Sequence, residues 1–407
     1  MNATHDRATP GGGAQAAAGT PEGGTRVVWV TALGISAYSF LQPHFRRLRE
    51  NGFDVILICS DDEHARAAAS NTGIQYIPLT IKQSVSVVSD CVALYRLWRL
   101  LRRLRPRIIH AHMSKAGLLG VLGGWLAGVP VRIYHNHGMA MLTARGPRRL
   151  MLRAVEWLAN RAATHTLFCG ESTRAAALAE GLAQAGKARV LGSGTISGVD
   201  IAKFSPDRIG DLRGSKRRAW GVPADAVVVG FVGRIVPHKG IATLLAAWRR
   251  LDRRHRDHST LVLVGGLGGP DMMALVDAAV AEDLGVNNVG WTDDMVSAYS
   301  AMDLLVLPSW YEGLPYSVLE AQAMGLPVIV TRVTGNVDAV EDEVTGLVVP
   351  PKDSDALSRA MARLIDSPEE RRRLGQGARR WVAEHLRQEM VLDHMLRFYQ
   401  AVLTGTD

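Results

Sequence analysis

The sequence predicts an α/β protein with two parallel, doubly wound sheets. Its 407 residues exceed the roughly 250–300 at which a single hydrophobic core stops growing. From residue 26 onward, short runs rich in valine, isoleucine and leucine alternate with amphipathic helical patterns. This alternation lapses between residues 197 and 211 and restarts at Val227, so we expect two domains, residues 25–207 and 208–387.

The composition is that of an ordinary soluble globular protein, with 47% hydrophobic and 21% charged residues. Residues 1–24 are rich in glycine and alanine, so we expect a flexible tail there, and they lack the apolar segment of a signal peptide. The uncharged run 116–131 is shorter than the roughly 17–25 residues of a membrane-spanning helix, and we expect a buried helix instead. Three widely spaced cysteines without a CxxC pattern favour a reducing cytoplasm over disulfides or a zinc site.

Positive charge is concentrated in the first domain. The formal net charge is +8, yet thirteen basic residues stand against Glu156 alone between Leu94 and Arg161. One interpretation is that these residues lie on crossover helices and are simply solvated. The other is that they form faces that contact anionic lipid or the phosphate groups of a substrate. We favour the second interpretation, for a face that contains Arg99, Arg102, Arg103, Lys115, Arg148 and Arg149. No DNA-recognition motif accompanies these residues, so nucleic acid is not an expected partner.

Ligands of doubly wound sheets bind at the carboxyl ends of the strands. The first strand, 26–31, is followed by Gly34 without the GxGxxG pattern of dehydrogenases, which argues against an oxidoreductase. Asp61, Asp62 and Glu63 form the one acidic cluster at a strand end, in the first domain. We do not expect this cluster to hold a catalytic metal ion.

A strand that begins at Val131 carries two histidines at its end. Strand alternation places His135 and His137 on the same side. No third metal ligand lies near them in sequence, so a zinc site is not expected. Two interpretations of His137 remain open, a hydrogen bond to substrate or a satisfied core histidine.

The second domain begins with a strand, 227–232, and a turn that carries two cations. Arg234 and Lys239 are flanked by Gly233 and Gly240, and a helix pattern follows at once. Two cations in front of a helix dipole predict a diphosphate-binding site, although loop cations can also be simply solvated. The glycines allow the backbone to approach a ligand closely.

The stretch 304–320 predicts a buried strand, a turn and the start of a helix. Pro315 suits the first turn of a helix, which places Glu312 in the loop and Glu320 in the helix. The alternative for these glutamates is a helix cap and a solvated side chain. Several backbone N–H groups at the helix start would be free to bind an anionic or hydroxyl-rich ligand, namely those of Gly313, Leu314, Tyr316 and Ser317.

Together these motifs resemble glycosyltransferase family 4, a family of retaining enzymes. The resemblance rests on Gly233-Arg234 with Lys239-Gly240, on Glu312 and Glu320 with seven residues between them, and on Gly325-Leu326-Pro327-Val328-Ile329. It covers nearly the whole chain after residue 25. In the first domain, the segment 105–117 and His137-Gly138 look like the subgroup that builds capsule, O-antigen and exopolysaccharide repeat units.

This resemblance implies the GT-B architecture, in which two Rossmann-like domains face each other across a cleft and a C-terminal helix, about 388–407, returns to the first domain. It implies a nucleotide-sugar donor in the second domain and a lipid-linked saccharide acceptor in the first. The expected catalytic residues are Arg234, Lys239, Glu312 and His137. The expected donor-binding residues are Glu320 at the ribose, and Gly313, Leu314, Pro315, Tyr316, Gly34, Gly265 and Trp291.

The resulting hypothesis is a retaining hexosyltransferase at the inner face of the cytoplasmic membrane. It would move a hexose or N-acetylhexosamine from a UDP-sugar to a lipid-diphosphate-linked saccharide in bacterial surface polysaccharide synthesis, without a metal or other cofactor. The alternatives are a sugar-nucleotide epimerase on the same fold and a catalytically inactive scaffold subunit at the membrane. Departures from the family pattern at 265–268 and 336–338 leave the arginine, lysine and glutamate set intact.

Overall fold

The computed structural model of the protein describes residues 24–82, 84 and 86–406. Within these ranges, thirteen strands form two sheets, one of seven strands and one of six. Nearly all of the tail expected over residues 1–24 lies outside the described residues. The expected domain boundary after residue 207 stays a prediction.

The first sheet contains the strands β1 Thr25–Val30, β2 Phe53–Cys59, β3 Gln75–Pro78, β4 Ile108–His112, β5 Val131–Asn136, β6 His165–Phe168 and β7 Ala188–Arg189. Their order is β3-β2-β1-β4-β5-β6-β7, and every pairing is parallel. The helices that connect them are α1 Gly34–Ser36, α2 Gln42–Glu50, α3 Glu63–Thr72, α4 Val87–Leu104, α5 Ser114–Ala127, α6 Gly146–Ala162 and α7 Glu171–Ala179. A π-helical turn, Ala37–Leu41, joins α1 to α2.

The second sheet contains β8 Val227–Val232, β9 Ser259–Val264, β10 Val286–Gly290, β11 Leu304–Leu307, β12 Val328–Thr331 and β13 Gly346–Val349. Their order is β10-β9-β8-β11-β12-β13, again all parallel. The remaining helices are α8 Gly210–Ala219, α9 Ile241–Arg249, α10 Arg253–Asp257, α11 Pro270–Ala281, α12 Met295–Ser300, α13 Tyr316–Ala323, α14 Asn336–Ala339, α15 Ser354–Asp366, α16 Pro368–His385 and α17 Gln388–Thr404.

The inner strands of both sheets are largely buried, whereas the edge strands β3 and β10 are partly exposed. Every residue of β2, β9, β11 and β12 is buried. Helices cover both faces of a parallel sheet, so its strands need no polar side. Each sheet has its own large aromatic anchor, Trp29 in β1 and Trp248 in α9, and both are fully buried. The alternating pattern therefore gave the correct fold class.

The uncharged run 116–131 forms a helix and the start of a strand, as expected, and the helix is mostly buried, with Trp125 and Leu126 exposed near its end. Helix α5 lies between α4 and α6 and packs closely on β4 and β5. A Cβ on Gly120 would overlap the side chain of Ala111 in β4, so only glycine fits there. Within the described ranges, no helix combines the length and hydrophobicity needed to cross a bilayer.

Helix α17 leaves the second domain and packs on the first. It contacts α2, where Arg47 and Asp393 form an ion pair. Residue 387, just before it, pairs with Val199 in an isolated β-bridge. The buried Tyr399 hydroxyl lies 2.6 Å from Nδ1 of His110 in β4. The C-terminal helix thus reaches the core of the first sheet.

The ends of three strands bear on the site. Strand β4 ends at His112. Strand β5 ends at Asn136, so His137 lies just past it. Strand β10 shifts register between Asn288 and Gly290 and ends there, which leaves Trp291 outside the sheet.

Candidate active site

Two cavities lie between the domains and meet at four residues. The smaller, about 270 Å³, is bounded by residues 312–317 of the second domain and by Phe40 and Ile196 of the first. The larger, about 620 Å³, is bounded by α4, α5 and α6 and by the loops that follow β8 and β11. The residues common to both are His137, Lys239, Glu312 and Gly313, which we call the junction. Three of the four predicted catalytic residues are therefore in one place.

Glu312 lies in the loop between β11 and α13, as the position of Pro315 predicted. Its Oε1 accepts hydrogen bonds from Lys239 Nζ and Ser309 Oγ, both at 2.6 Å. The side chains of Lys239 and Glu312 are only 17% and 11% exposed. In this shielded position the two charges neutralise each other.

The turn after β8 presents its two cations differently. Lys239 ends a 3₁₀ turn, and Gly240 takes a φ of +76° before α9 begins. A Cβ on Gly240 would overlap the carbonyl oxygen of Pro308, so the turn packs tightly against the end of β11. Arg234 is exposed and has no acidic partner among the described residues, although it also lines the larger cavity. The turn therefore offers one free guanidinium and one ammonium shared with Glu312.

The N-terminus of α13 faces the smaller cavity. Pro315 is the N-cap, without a side-chain cap. Within the described part of the chain no acceptor is found for four backbone N–H groups, those of Gly313, Leu314, Tyr316 and Ser317. The Tyr316 hydroxyl accepts a hydrogen bond from the Ser197 backbone N–H at 2.6 Å, which ties this helix to the first domain. Free N–H groups at a helix start form a site for an anion or for sugar hydroxyls.

The domains touch directly through two glycines. Gly138 follows His137 with a φ of +119°, and a Cβ built on it would lie 3.0 Å from the backbone nitrogen of Gly313. A Cβ on Gly313 would overlap the carbonyl oxygen of His137. The two backbones approach this closely only because both residues lack a side chain.

His137 is held by a second histidine. Its Nε2 lies 3.0 Å from Nδ1 of His112 at the end of β4. Burial lowers the pKa of His137 to about 4, so the imidazole is neutral near pH 7. A hydrogen bond between two neutral imidazoles needs one donor and one acceptor, so the His112 contact couples the tautomers of the two rings.

Strand pairing brings further histidines together that the sequence analysis missed. His110 Nε2 lies 3.2 Å from His135 Nδ1, and His112 stacks on His110 with ring centroids 4.4 Å apart. Burial holds the pKa of all three well below the ordinary value. Possible ligand atoms of His110, His112 and His135 lie within 4.8 Å of one another. No third ligand lies near His135 in sequence, but β4 brings His110 and His112 next to it from the neighbouring strand.

Both ring nitrogens of His110 already have protein partners, the Tyr399 hydroxyl and His135. A metal ion would have to displace one of these hydrogen bonds. The arrangement therefore suits a buried hydrogen-bonded chain, and the absence of a metal stays a prediction.

Glu156 forms a hydrogen-bond network on the first-domain side of the junction. The sequence analysis did not predict this role. It is buried, and its carboxylate accepts hydrogen bonds from Ser114 Oγ, Tyr134 hydroxyl and Asn136 Nδ2 at 2.8–2.9 Å. Burial raises the pKa of this carboxyl, and the three hydrogen bonds oppose the rise. Asn136 Oδ1 in turn accepts a hydrogen bond from the Gly138 backbone N–H at 2.8 Å. In the sequence, Glu156 is distinguished only as the single acidic residue between Leu94 and Arg161.

Glu320 lies one turn into α13, beyond the lining of both cavities. Its Oε2 accepts a hydrogen bond from the Tyr299 hydroxyl at 2.9 Å. Burial raises the pKa of Glu320 to about 7, although the Tyr299 hydrogen bond and the nearby Lys203 oppose the rise. The structure thus separates Glu312 and Glu320, as expected from the helix start.

Besides Glu320, three further predicted donor-binding residues do not line either cavity. Gly34 is buried, and its N–H donates to Asp62 Oδ2 at 2.9 Å. Asp62 also caps α3 through the Ala65 N–H, so this acidic cluster has a structural use. Gly265 packs against the backbone of Gly233, and Trp291 is 63% exposed. Their roles in donor binding stay predictions.

The predicted basic face divides into two parts. Arg99, Arg102 and Arg103 are exposed along α4 and have no acidic partner among the described residues. Lys115 instead lines the larger cavity and forms an ion pair with Asp90 at 2.6 Å. Arg149 pairs with Glu180 at 2.9 Å, an acid that lies outside the region whose charges were counted. Arg148 is exposed on the first turn of α6.

Comparison with known proteins decides the family. Residues 213–381 match the family described as glycosyl transferases group 1, and residues 41–194 match the glycosyl transferase 4-like domain. The chain belongs to glycosyltransferase family 4. This glycosyltransferase is 28% identical over 361 residues to the capsular polysaccharide biosynthesis glycosyltransferase CapM of Staphylococcus aureus, covering 88% of the chain and 93% of CapM.

Two further comparisons extend the likeness. The enzyme is 28% identical over 328 residues to the Escherichia coli UDP-Gal:alpha-D-GlcNAc-diphosphoundecaprenol alpha-1,3-galactosyltransferase, covering 79% of the chain and 82% of that protein. Its fold resembles that of HepE from Anabaena, solved in complex with UDP-glucose, with a TM-score of 0.77 and 19% identity over 92% of this chain and 99% of HepE. The predicted GT-B fold and the transferase class are confirmed.

Proposed function

We propose that this enzyme transfers a hexose or N-acetylhexosamine from a UDP-sugar to a lipid-diphosphate-linked saccharide, with retention at the anomeric carbon, in bacterial surface polysaccharide synthesis. The observation that carries the proposal is the meeting of two cavities at His137, Lys239, Glu312 and Gly313. One cavity takes the donor sugar and the other takes the acceptor. The likeness to CapM, to the diphosphoundecaprenol-dependent galactosyltransferase and to UDP-glucose-bound HepE supports the choice of substrates.

The junction supplies stabilisation for the leaving diphosphate. Arg234 is free to bind it, and Lys239 transfers its contact from Glu312 to a phosphate oxygen when the donor binds. Glu312 then accepts hydrogen bonds from sugar hydroxyls, and the free N–H groups at the start of α13 donate hydrogen bonds to sugar oxygens. The negative charge that develops on the leaving group is thus stabilised by preorganised hydrogen-bond donors in a shielded site.

Each of the two carboxylates that line the cavities already has a lysine partner. Glu312 is paired with Lys239, and the second carboxylate, Asp90, is paired with Lys115. A retaining hydrolase needs two carboxyl groups about 5 Å apart across the scissile bond. We therefore assign the acceptor proton to a phosphate oxygen of the leaving group, with attack on the same face of the sugar.

Metal removal leaves the activity unchanged, because Arg234, Lys239 and the dipole of α9, the helix that follows them, take the place of a divalent cation. We expect the rate of transfer to stay within twofold after EDTA treatment. The measurement is product formation by the EDTA-treated enzyme with and without added Mn²⁺. Loss of activity that Mn²⁺ restores would overturn the metal-free mechanism.

A panel of UDP- and GDP-sugars tests the proposed function. Mass spectrometry reports which donor is consumed, and thermal unfolding reports which nucleotide stabilises the protein. We expect one UDP-sugar to be consumed only when a lipid-linked acceptor is present. Conversion of the donor without acceptor would favour the epimerase alternative, and binding without any turnover would favour the inactive scaffold.

Donor affinity rises with pH if Glu320 binds the ribose. The pKa of Glu320 is raised to about 7, so the carboxylate that accepts hydroxyl hydrogen bonds is depleted below that pH. Between pH 6 and 8 the competent fraction increases about tenfold, and the apparent Kd for a UDP-sugar falls by the same factor. Calorimetric titration measures this, and Glu320→Gln serves as the control whose Kd does not change with pH. If the Kd of the wild type were also independent of pH, Glu320 would not be the residue that binds the ribose.

The proposed location is the inner face of the cytoplasmic membrane. Exposed apolar side chains are concentrated on α4, α5 and α6, namely Val87, Val88, Val92, Tyr95, Trp125, Leu126, Leu150, Met151, Trp157 and Leu158. The unpaired arginines of α4 lie among them. Apolar side chains interspersed with arginine are typical of surfaces that bind anionic lipid. We call α4 to α6 the membrane face.

Charge reversal on the membrane face weakens vesicle binding. Each arginine near an anionic bilayer contributes about 1 kcal/mol, so changing Arg99, Arg102 and Arg103 to glutamate lowers the partition coefficient at least about 100-fold. Flotation with phosphatidylglycerol vesicles measures this, beside a duplex DNA pull-down. The matched control changes Arg359, Arg372 and Arg380, which are exposed on α15 and α16. Equal losses in both triple variants would mean that the membrane face has no special role.

A further inference from the structure

The larger cavity has two walls of different chemistry. The second domain contributes a polar wall with Arg234, His238, Lys239 and Glu312. Helices α5 and α6 contribute an apolar wall, formed by Leu118, Leu119, Met151, Leu152 and Val155. Sugar hydroxyls that face such a wall would lose their hydrogen bonds to water without gaining new ones. The apolar wall therefore suits hydrocarbon.

We propose that the apolar wall binds the first hydrocarbon units of the acceptor lipid, next to its diphosphate. This inference rests on the proposed function and adds to it, because it makes the lipid a recognised part of the substrate. The acceptor saccharide then lies at the junction, and the lipid extends away from it along α6.

Two cations are placed for the diphosphate that joins saccharide and lipid. Lys115 lines the cavity at the start of α5, and its Nζ lies 2.6 Å from Asp90. Arg148 is exposed on the first turn of α6 and lies near His238 and Tyr311 across the cleft. The pKa of His238 is lowered chiefly by burial and in smaller part by nearby cations that include Arg148.

The apolar wall reaches the protein surface on the membrane face. Met151 lines the cavity and is also 39% exposed, and its neighbour Leu150 is 69% exposed. A hydrocarbon chain can thus pass from a bilayer to the cavity along apolar side chains. This continuity favours lipid as the occupant. Apolar side chains along the path to the surface make favourable contacts with hydrocarbon but offer no hydrogen bonds to a soluble saccharide.

The same cavity contains a strained backbone position. Met113, which precedes α5, has a φ of +66° and a ψ of 166°, a conformation that non-glycine residues rarely adopt. Its N–H donates to the His135 carbonyl at 3.1 Å, and its carbonyl accepts from Gly117 at 2.7 Å. Strain of this kind persists where the surroundings enforce it, often at ligand sites. Here it places the start of α5 against the cavity.

Calorimetric titration with geranyl diphosphate and with inorganic diphosphate tests the inference. Saturating UDP first occupies the donor site, so that the second ligand reports on the acceptor cavity. We expect geranyl diphosphate to bind at least about tenfold more tightly than inorganic diphosphate, with one site per chain. Met151→Gln removes most of this preference, because losing even one methylene contact in an apolar pocket typically costs about tenfold or more. The control Met273→Gln, on α11 at a residue that is 48% exposed, leaves the preference intact.

Equal affinity of the wild type for the two ligands would overturn the inference, and so would an equal effect of Met151→Gln and Met273→Gln. Binding is measured without vesicles, so attachment to a membrane does not contribute. The titration does not depend on sugar transfer. A chain that binds geranyl diphosphate but transfers no sugar would therefore contradict the proposed function alone.

Discussion

Replacing Lys239 with alanine lowers kcat by about 10²–10³-fold, the usual cost of removing one preorganised donor from a developing negative charge. The ammonium of Lys239 is the only protein cation in contact with Glu312 among the described residues. Its loss also leaves the Glu312 carboxylate unpaired beside the phosphate, which adds repulsion. The measurement is kcat under saturating donor and acceptor.

Lys216→Ala is the matched control for this variant. Lys216 lies in the last turn of α8 with its ammonium over the Trp220 ring, away from both cavities. We expect its kcat to stay within twofold of wild type. If Lys239→Ala retained transfer within threefold, Lys239 could not be the leaving-group donor.

Replacing Gly313 with alanine prevents the two domains from meeting at the junction. The added Cβ would overlap the carbonyl oxygen of His137, so the loop of Glu312 must retreat from the first domain. A displacement of about 1 Å in the reacting groups can cost roughly 100-fold in rate, and we expect kcat/KM to fall by about that factor. Steady-state kinetics with both substrates measures the loss.

Gly186→Ala controls for the loss of a glycine. Gly186 lies in a loop with open space around it and has an ordinary φ, so alanine should change neither kcat/KM nor the unfolding temperature. A Gly313→Ala enzyme with normal kcat/KM would show that turnover does not need this contact between the domains.

Local sequence patterns predicted much of the site. Apolar runs bounded by glycine and proline located the strands, and Pro315 correctly separated Glu312 in the loop from Glu320 in the helix. The turn with Arg234 and Lys239 was also found from its sequence, since both cations and both glycines lie within eight residues. These features depend on neighbouring residues, and local rules describe them well.

Features that depend on distant residues were not predicted. His110 and His112 join His135 only because β4 pairs with β5, and Tyr399 reaches them from the end of the chain. Glu156 acts through hydrogen bonds to residues up to 42 positions away. The ion pair between Arg149 and Glu180 was likewise not predicted. Spacing along the chain contains no information about such contacts.

The central claim is transfer with retention to a lipid-linked acceptor. The most direct measurement incubates the enzyme with the UDP-sugar selected by the panel and with undecaprenyl-diphosphate-linked mono- to trisaccharides, and then examines the product by NMR. We predict one new glycosidic bond with the anomeric configuration of the donor, and one UDP released for each sugar transferred. An inverted linkage, or UDP release that does not depend on any of these acceptors, would contradict the account.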